Sequence, residues 1–143
     1  MRQSLLFIVL LFMLGSCSLN ANQEKSLNRA IIQYQNAFNK ELTILEVSLT
    51  HPCVIDAYVS DTGNLRSLFI HHGAYMDNYS LENIEEDGMH MKVKLTFDYQ
   101  YGQAESKESK KTIYALSSNY GETWFFAQGS HLKYLNCKRD KHH

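Results

Sequence analysis

One proline and seven glycines are all the backbone breakers in 143 residues. So little of either excludes a collagen-like or proline-rich chain and leaves room for long regular elements. Neither sign of charge prevails: 14 lysines and arginines face 15 acids, for a net charge of −1. Without a basic field the chain has no electrostatic footprint for nucleic acid. It also lacks Gly-x-Ser-x-Gly, a P-loop, His-Glu-x-x-His, a zinc-type cysteine pair and a dinucleotide fingerprint. No motif therefore calls for a cofactor or a known catalytic machinery. The longest apolar run, Leu5–Leu14, has ten residues. A bilayer takes roughly 20.

What is present begins with that run. The amino group and Arg2 precede it, and Gly15, Ser16 and Cys17 follow it. A charged start, a short apolar core and small residues ahead of a cut site describe a secretory signal. Leu14-Gly15-Ser16-Cys17 resembles the lipobox of bacterial lipoproteins. The resemblance implies a signal peptide over 1–16, cleavage before Cys17 and a lipidated Cys17 as the first mature residue. Membrane is then the first partner, and several acyl chains hold where one alone is marginal. In enterobacterial lipoproteins an Asp after the cysteine favours the inner membrane, so Ser18 implies the outer membrane, periplasmic face. Residues 17–23 become the lipidated terminus and a polar linker, 24–137 a single domain and 138–143 a charged tail.

With Cys17 carrying lipid, Cys53 and Cys137 remain. An even pair in an oxidising compartment predicts one disulfide between them.

Leu27, Ile31, Tyr34, Phe38, Leu42, Leu45 and Leu49 step by three and four, one face of a helix. Lys40, Glu41 and Glu46 fall mostly on the other side. Asn22 or Ser26 is the expected N-cap. The helix must stop before Pro52 and can stop earlier, because Thr43–Thr50 also fits a strand. Cys53–His72 reads either as a hairpin about Asp61–Asn64 or as two short helices, with the first half more helical or irregular. An extended segment follows over Tyr79–Glu85, then a turn at Glu86–Gly88. Met91, Val93, Leu95, Phe97, Tyr99 and Tyr101 alternate strictly with polar residues, a strand with one wet face. Strands over Thr112–Leu116 and Thr123–Gln128 come next, and His131–Leu135 reads as a last short one.

This order predicts an α+β fold: one long N-terminal helix on a curved antiparallel sheet of four to five strands. The order, with Gly121-Glu122-Thr123-Trp124 closing the last hairpin, is similar to NTF2-like and cystatin-like domains. That similarity implies a helix in the hollow of the sheet and carries no catalytic residue over.

Three constellations suggest chemistry. His71, His72 and His90, the last between Met89 and Met91, are imidazole and thioether groups of the kind copper takes. They are weak candidates, because neighbouring strand residues point to opposite faces. Asp56 and His71 or His72 would be diagonal neighbours if Cys53–His72 were a hairpin, an acid/base pair of NTF2-like type. Tyr75, Tyr79, Tyr99, Tyr101 and Trp124 suit a recognition surface, since such rings are enriched where proteins bind. The reading that follows is a membrane-anchored, non-enzymatic binding module of the envelope, with a protein or small-ligand partner. The alternatives are an NTF2-like ligand carrier or enzyme, and an inhibitor or immunity-type protein that binds a toxin or secreted enzyme.

Overall fold

The computed structural model describes residues 17–101 and 109–137; the signal segment, the tail from Lys138 and most of the loop after Tyr101 lie outside them. The fold is α+β. Helix α1 (Ala21–Asn39) is followed by α2 (Thr43–Leu49), α3 (Pro52–Thr62) and a 3-10 turn (Leu65–Phe69). Four antiparallel strands follow in the order of the chain: β1 (Tyr75–Asp87), β2 (His90–Gln100), β3 (Ser109–Ser117) and β4 (Phe125–Gln128). The sheet does not close into a barrel.

Helix α1 starts earlier than expected because Asn20, not Asn22 or Ser26, caps it. The Asn20 side chain accepts from the Gln23 N–H at 2.9 Å, and the Gln23 side chain accepts from the Asn20 N–H at 2.9 Å. That reciprocal pair satisfies two donors the first turn would leave open. Leu19 already packs against the core, so the body begins two residues after Cys17 and the helix takes up much of the expected linker. Ser26 works elsewhere: its hydroxyl accepts from the Trp124 indole N–H at 2.9 Å and donates to the Gly121 carbonyl.

Leu27, Ile31, Tyr34 and Phe38 of α1 meet Val93, Leu95, Phe97, Ile113, Ala115 and Phe126 of the sheet in one buried cluster. Each such side chain contributes roughly 1.5–3 kcal/mol on burial, so this contact holds the layers together. The opposite face of β2 stays wet and carries ion pairs Lys92–Glu85 (2.6 Å) and Lys94–Glu82 (2.7 Å). Bulges between Asp77 and Tyr79 and between Leu81 and Asn83 bend the edge strand β1. At the other edge, Thr50 bridges to Phe126 and the His51 N–H donates to the Phe126 carbonyl at 2.9 Å.

The single long helix does not continue to Leu49. Glu41 is in the left-handed region (φ 51°), the Leu42 N–H returns to the Ala37 carbonyl and the Glu41 N–H to that of Phe38. This is a Schellman ending with glutamate where glycine is usual. The chain restarts as α2 in a new direction. Leu42 and Leu45 therefore leave the predicted stripe and are exposed, whereas Glu46 turns in and is 1% exposed.

Cys53–His72 is helical, not a hairpin. Pro52 sits in the first turn of α3, where its missing N–H is no loss, and Gly63 (φ 67°) ends it. Val54, Leu68, Phe69 and Ala127 form a second, smaller core. Ala127 follows Phe126 on β4 and so serves the other face of that strand. The disulfide Cys53–Cys137 ties this second core to the chain's end. The expected strand at His131–Leu135 is a 3-10 turn over Gly129–Tyr134 instead.

Candidate functional site

The break at Glu41 and a second left-handed residue at His72 (φ 51°) bring two distant polar groups together. The His71 Nε2 lies 2.9 and 2.8 Å from the two carboxylate oxygens of Glu46. A carboxylate only accepts, so Nε2 carries the proton and Nδ1 is the nitrogen left for another partner. Both side chains are nearly inaccessible, at 5% and 2%. The imidazole stacks on Phe38, ring centroids 3.7 Å apart. Behind the pair, Tyr34 stacks on Phe126 at 4.5 Å and its hydroxyl meets Gln128. Burial, with Glu46 close by, holds the Tyr34 phenol far above its usual range. The space there shrinks to about 10 Å³.

In front of His71 lies an open cleft of about 220 Å³. The strand register explains its far wall. Lys111 pairs with Phe97, and alternation puts it on the core face with Ile113 and Ala115. Tyr99 continues the apolar face of β2, and Gln128 pairs with Ile113. The core face thus ends in Tyr99, Lys111 and Gln128. Helix α3 supplies Tyr58, and the last 3-10 turn supplies His131. The Lys111 ammonium stands over Tyr99 (4.8 Å to the ring centroid) and Phe38 (5.2 Å). Desolvation lowers its pKa from the ordinary lysine value, and Glu46 opposes that only in part. His131 is also lowered, first by burial and then by Lys111 and Lys133. No carboxylate among the described residues lies within ion-pair distance of Lys111, and none lines the cleft.

The residues singled out in sequence are dispersed. Tyr99 and Tyr101 share the cleft wall. Tyr75 is exposed at the start of β1, and the Tyr79 hydroxyl donates to Asn28 at 2.6 Å. Trp124 is buried in the core. His71 and His72 sit in a turn, not a strand, and both line the cleft; His90 is exposed at the far end of β2. Met91 is buried, and Met89 is exposed in the turn. Among the described residues no group of three or more His, Cys, Asp or Glu is placed to hold a metal ion. Asp56 is on α3 and makes no dyad with His71, whose acid is Glu46. Cys17 is exposed beside Leu81–Ile84. No described helix is long and apolar enough to cross a membrane.

Compared with family models, curated proteins and solved structures, the chain matches none. The function must be argued from the site itself.

Sequence reasoning missed Glu46, Lys111 and His131. Periodicity marked neither of the charged pair: Glu46 reads as the wet side of one continuous helix, and Lys111 as a wet residue at a strand end.

Proposed function

We propose that the chain is a lipid-anchored binding module of the cell envelope, on the periplasmic face with the outer membrane favoured, whose working surface is the cleft beside His71. One observation carries the binding part: His71, held by the buried Glu46, closes the floor of an open cleft lined by Lys111 and three tyrosines. Buried ionisable groups are seldom fully enclosed unless paired, and they cluster at functional sites. The anchor rests on Leu14–Cys17 together with the short distance from Cys17 to the packed Leu19. A domain held that close to the membrane meets partners at the envelope surface.

The test has two arms. Cys17→Ser should move the chain from the membrane to the soluble fraction and abolish acyl labelling; a chain that stays in the membrane unlabelled would sink the anchor. Cross-linking in intact cells should capture a partner from wild type and much less from a Lys111→Gln variant.

A second reading follows from the same pair. An imidazole held by a carboxylate is equipped as a general base, which suits an NTF2-like hydrolase or isomerase. Ligand recovered unchanged after long incubation supports the binding module. Conversion that His71→Gln abolishes supports the enzyme.

A further inference from the structure

We infer that the cleft binds a small, planar organic monocarboxylate, with Lys111 as its counter-ion and the rings of Tyr99, Tyr101 and Tyr58 against its body. This rests on reading the cleft as the working surface.

The Lys111 ammonium is half-buried on a core-face position, held over two aromatic rings, with no carboxylate in the described residues near enough to pair. Taking a charge from water without a partner is unfavourable, and an anion in the cleft would offset that. The other polar side chains described along the space include no carboxylate: Ser67, Gln128, His72, His131 and the tyrosine hydroxyls. Glu46, the acid that acts on Lys111 among the described residues, is spent on His71.

The number of charges selects the class of anion. Among the described residues lining the cleft Lys111 is the one lysine or arginine, and burial and two lysines hold His131 toward its neutral form. One cation suits a monoanion. Phosphate sites use several N–H groups, a helix N-terminus or an arginine fork, and no arginine among the described residues lines this cleft. The aromatic walls then select the body. Tyr99 and Tyr101 have ring centroids 6.3 Å apart, and Tyr58 comes from α3. Flat rings pack against flat ligands through offset or edge contacts. About 220 Å³ is below the roughly 300–1,000 Å³ of drug-sized sites, so the ligand is small. His71 closes the floor.

The experiment is calorimetric titration of the full chain, purified in non-ionic detergent, with benzoate, benzamide and inorganic phosphate. Benzoate should bind about tenfold or more tighter than benzamide, as expected for one charge-assisted contact. Lys111→Gln should remove that preference. Tyr101→Ala deletes an exposed ring the core does not need, so it should weaken benzoate several-fold and leave Tm unchanged. Equal binding of benzoate and benzamide would overturn the proposal. So would tighter binding of phosphate, or benzoate binding indifferent to Lys111→Gln in a variant with an unchanged circular dichroism spectrum. No benzoate binding at its highest soluble concentration would also overturn it. In that case a partner captured in cells by wild type and lost in Lys111→Gln would leave the cleft as the working surface, with the carboxylate assignment alone refuted.

Discussion

Glu46 and His71 are 25 residues apart in sequence, yet both carboxylate oxygens lie within 2.9 Å of one imidazole nitrogen in a nearly dry pocket. Burying such a pair is neutral at best compared with apolar packing, whereas removing one partner strands the other. The two halves should therefore fail together. Glu46→Ala and His71→Ala should each destabilise by about 3–5 kcal/mol in urea unfolding. The double replacement by Leu and Met should recover much of that loss. Additive losses in the double mutant would show that the two side chains do not act as a pair.

Lys111 should be the opposite case, a residue the fold would be better without. Lys111→Met exchanges a half-buried charge for a thioether that still packs on Phe38 and Tyr99. Its loss of cation–π attraction, about 0.5–1 kcal/mol at exposed sites, is offset by sulfur–aromatic contact of similar size. The removed desolvation penalty then tips the balance, and Lys111→Met should be more stable by up to about 1 kcal/mol. A destabilised Lys111→Met would place this lysine among structural residues.

How the sequence could be read up to this point follows from periodicity. The alternation Met91 to Tyr99 and the stripe Leu27 to Phe38 are long, regular and unbroken, so both elements and their facing surfaces were legible. The two cysteines left after Cys17 were enough to predict their pairing. An earlier end was one of two readings, but its place after Asn39 and the helical restart at Thr43 were not legible. The break uses a left-handed glutamate instead of glycine, and the apolar spacing runs on through Leu42, Leu45 and Leu49 as if the helix continued. One misplaced helix end then hid the site, because Glu46 reads as solvent-facing on a continuous helix. Lys111 was hidden for another reason: a lysine at a strand end looks like any wet residue until the register with Phe97 is known.

Gly121 is one glycine the fold cannot exchange. Its φ is +79°, and a Cβ there would come within 2.9 Å of the Gln23 side chain, 3.0 Å of Trp124 and 3.1 Å of Met91. Gly121→Ala combines left-handed strain of about 1–2 kcal/mol with overpacking of about 1–3 kcal/mol. A loss of roughly 2–4 kcal/mol is expected by thermal or urea unfolding. Less than about 1 kcal/mol would mean the contact between α1 and the last hairpin yields easily.

The disulfide guards the smaller core. Cys53 is buried beside Val54, and its partner Cys137 lies 84 residues on. In the chain-entropy model such a loop contributes roughly 4–5 kcal/mol. Replacing both cysteines by alanine should lower stability by about 2–5 kcal/mol. Hydrogen exchange should rise first in α3 and the Gly129–Tyr134 turn, before the sheet. Uniform loss of protection would show that the two cores unfold as one.

His131 should make the fold sensitive to mild acid. Tyr58 of α3 faces it with ring centroids 5.9 Å apart, and Tyr134 lies at 6.0 Å. Burial, Lys111 and Lys133 all lower its pKa from the ordinary 6.5. As pH falls through 6.5 the unfolded chain takes up this proton and the folded chain does not. Stability therefore drops from that point and levels only once the folded histidine is also protonated. The carboxylates of Glu82 and Asp98 are lowered by their lysine and other hydrogen-bond partners, so they titrate in a separate, more acidic window. Urea unfolding from pH 7.5 down to 5.5 should show His131→Gln gaining on wild type as pH falls. An anion beside Lys111 reverses one of the repulsions that hold the imidazole neutral, so saturating benzoate should shrink the difference between the two chains. A gap that does not change with pH would remove His131 from the electrostatics of the cleft.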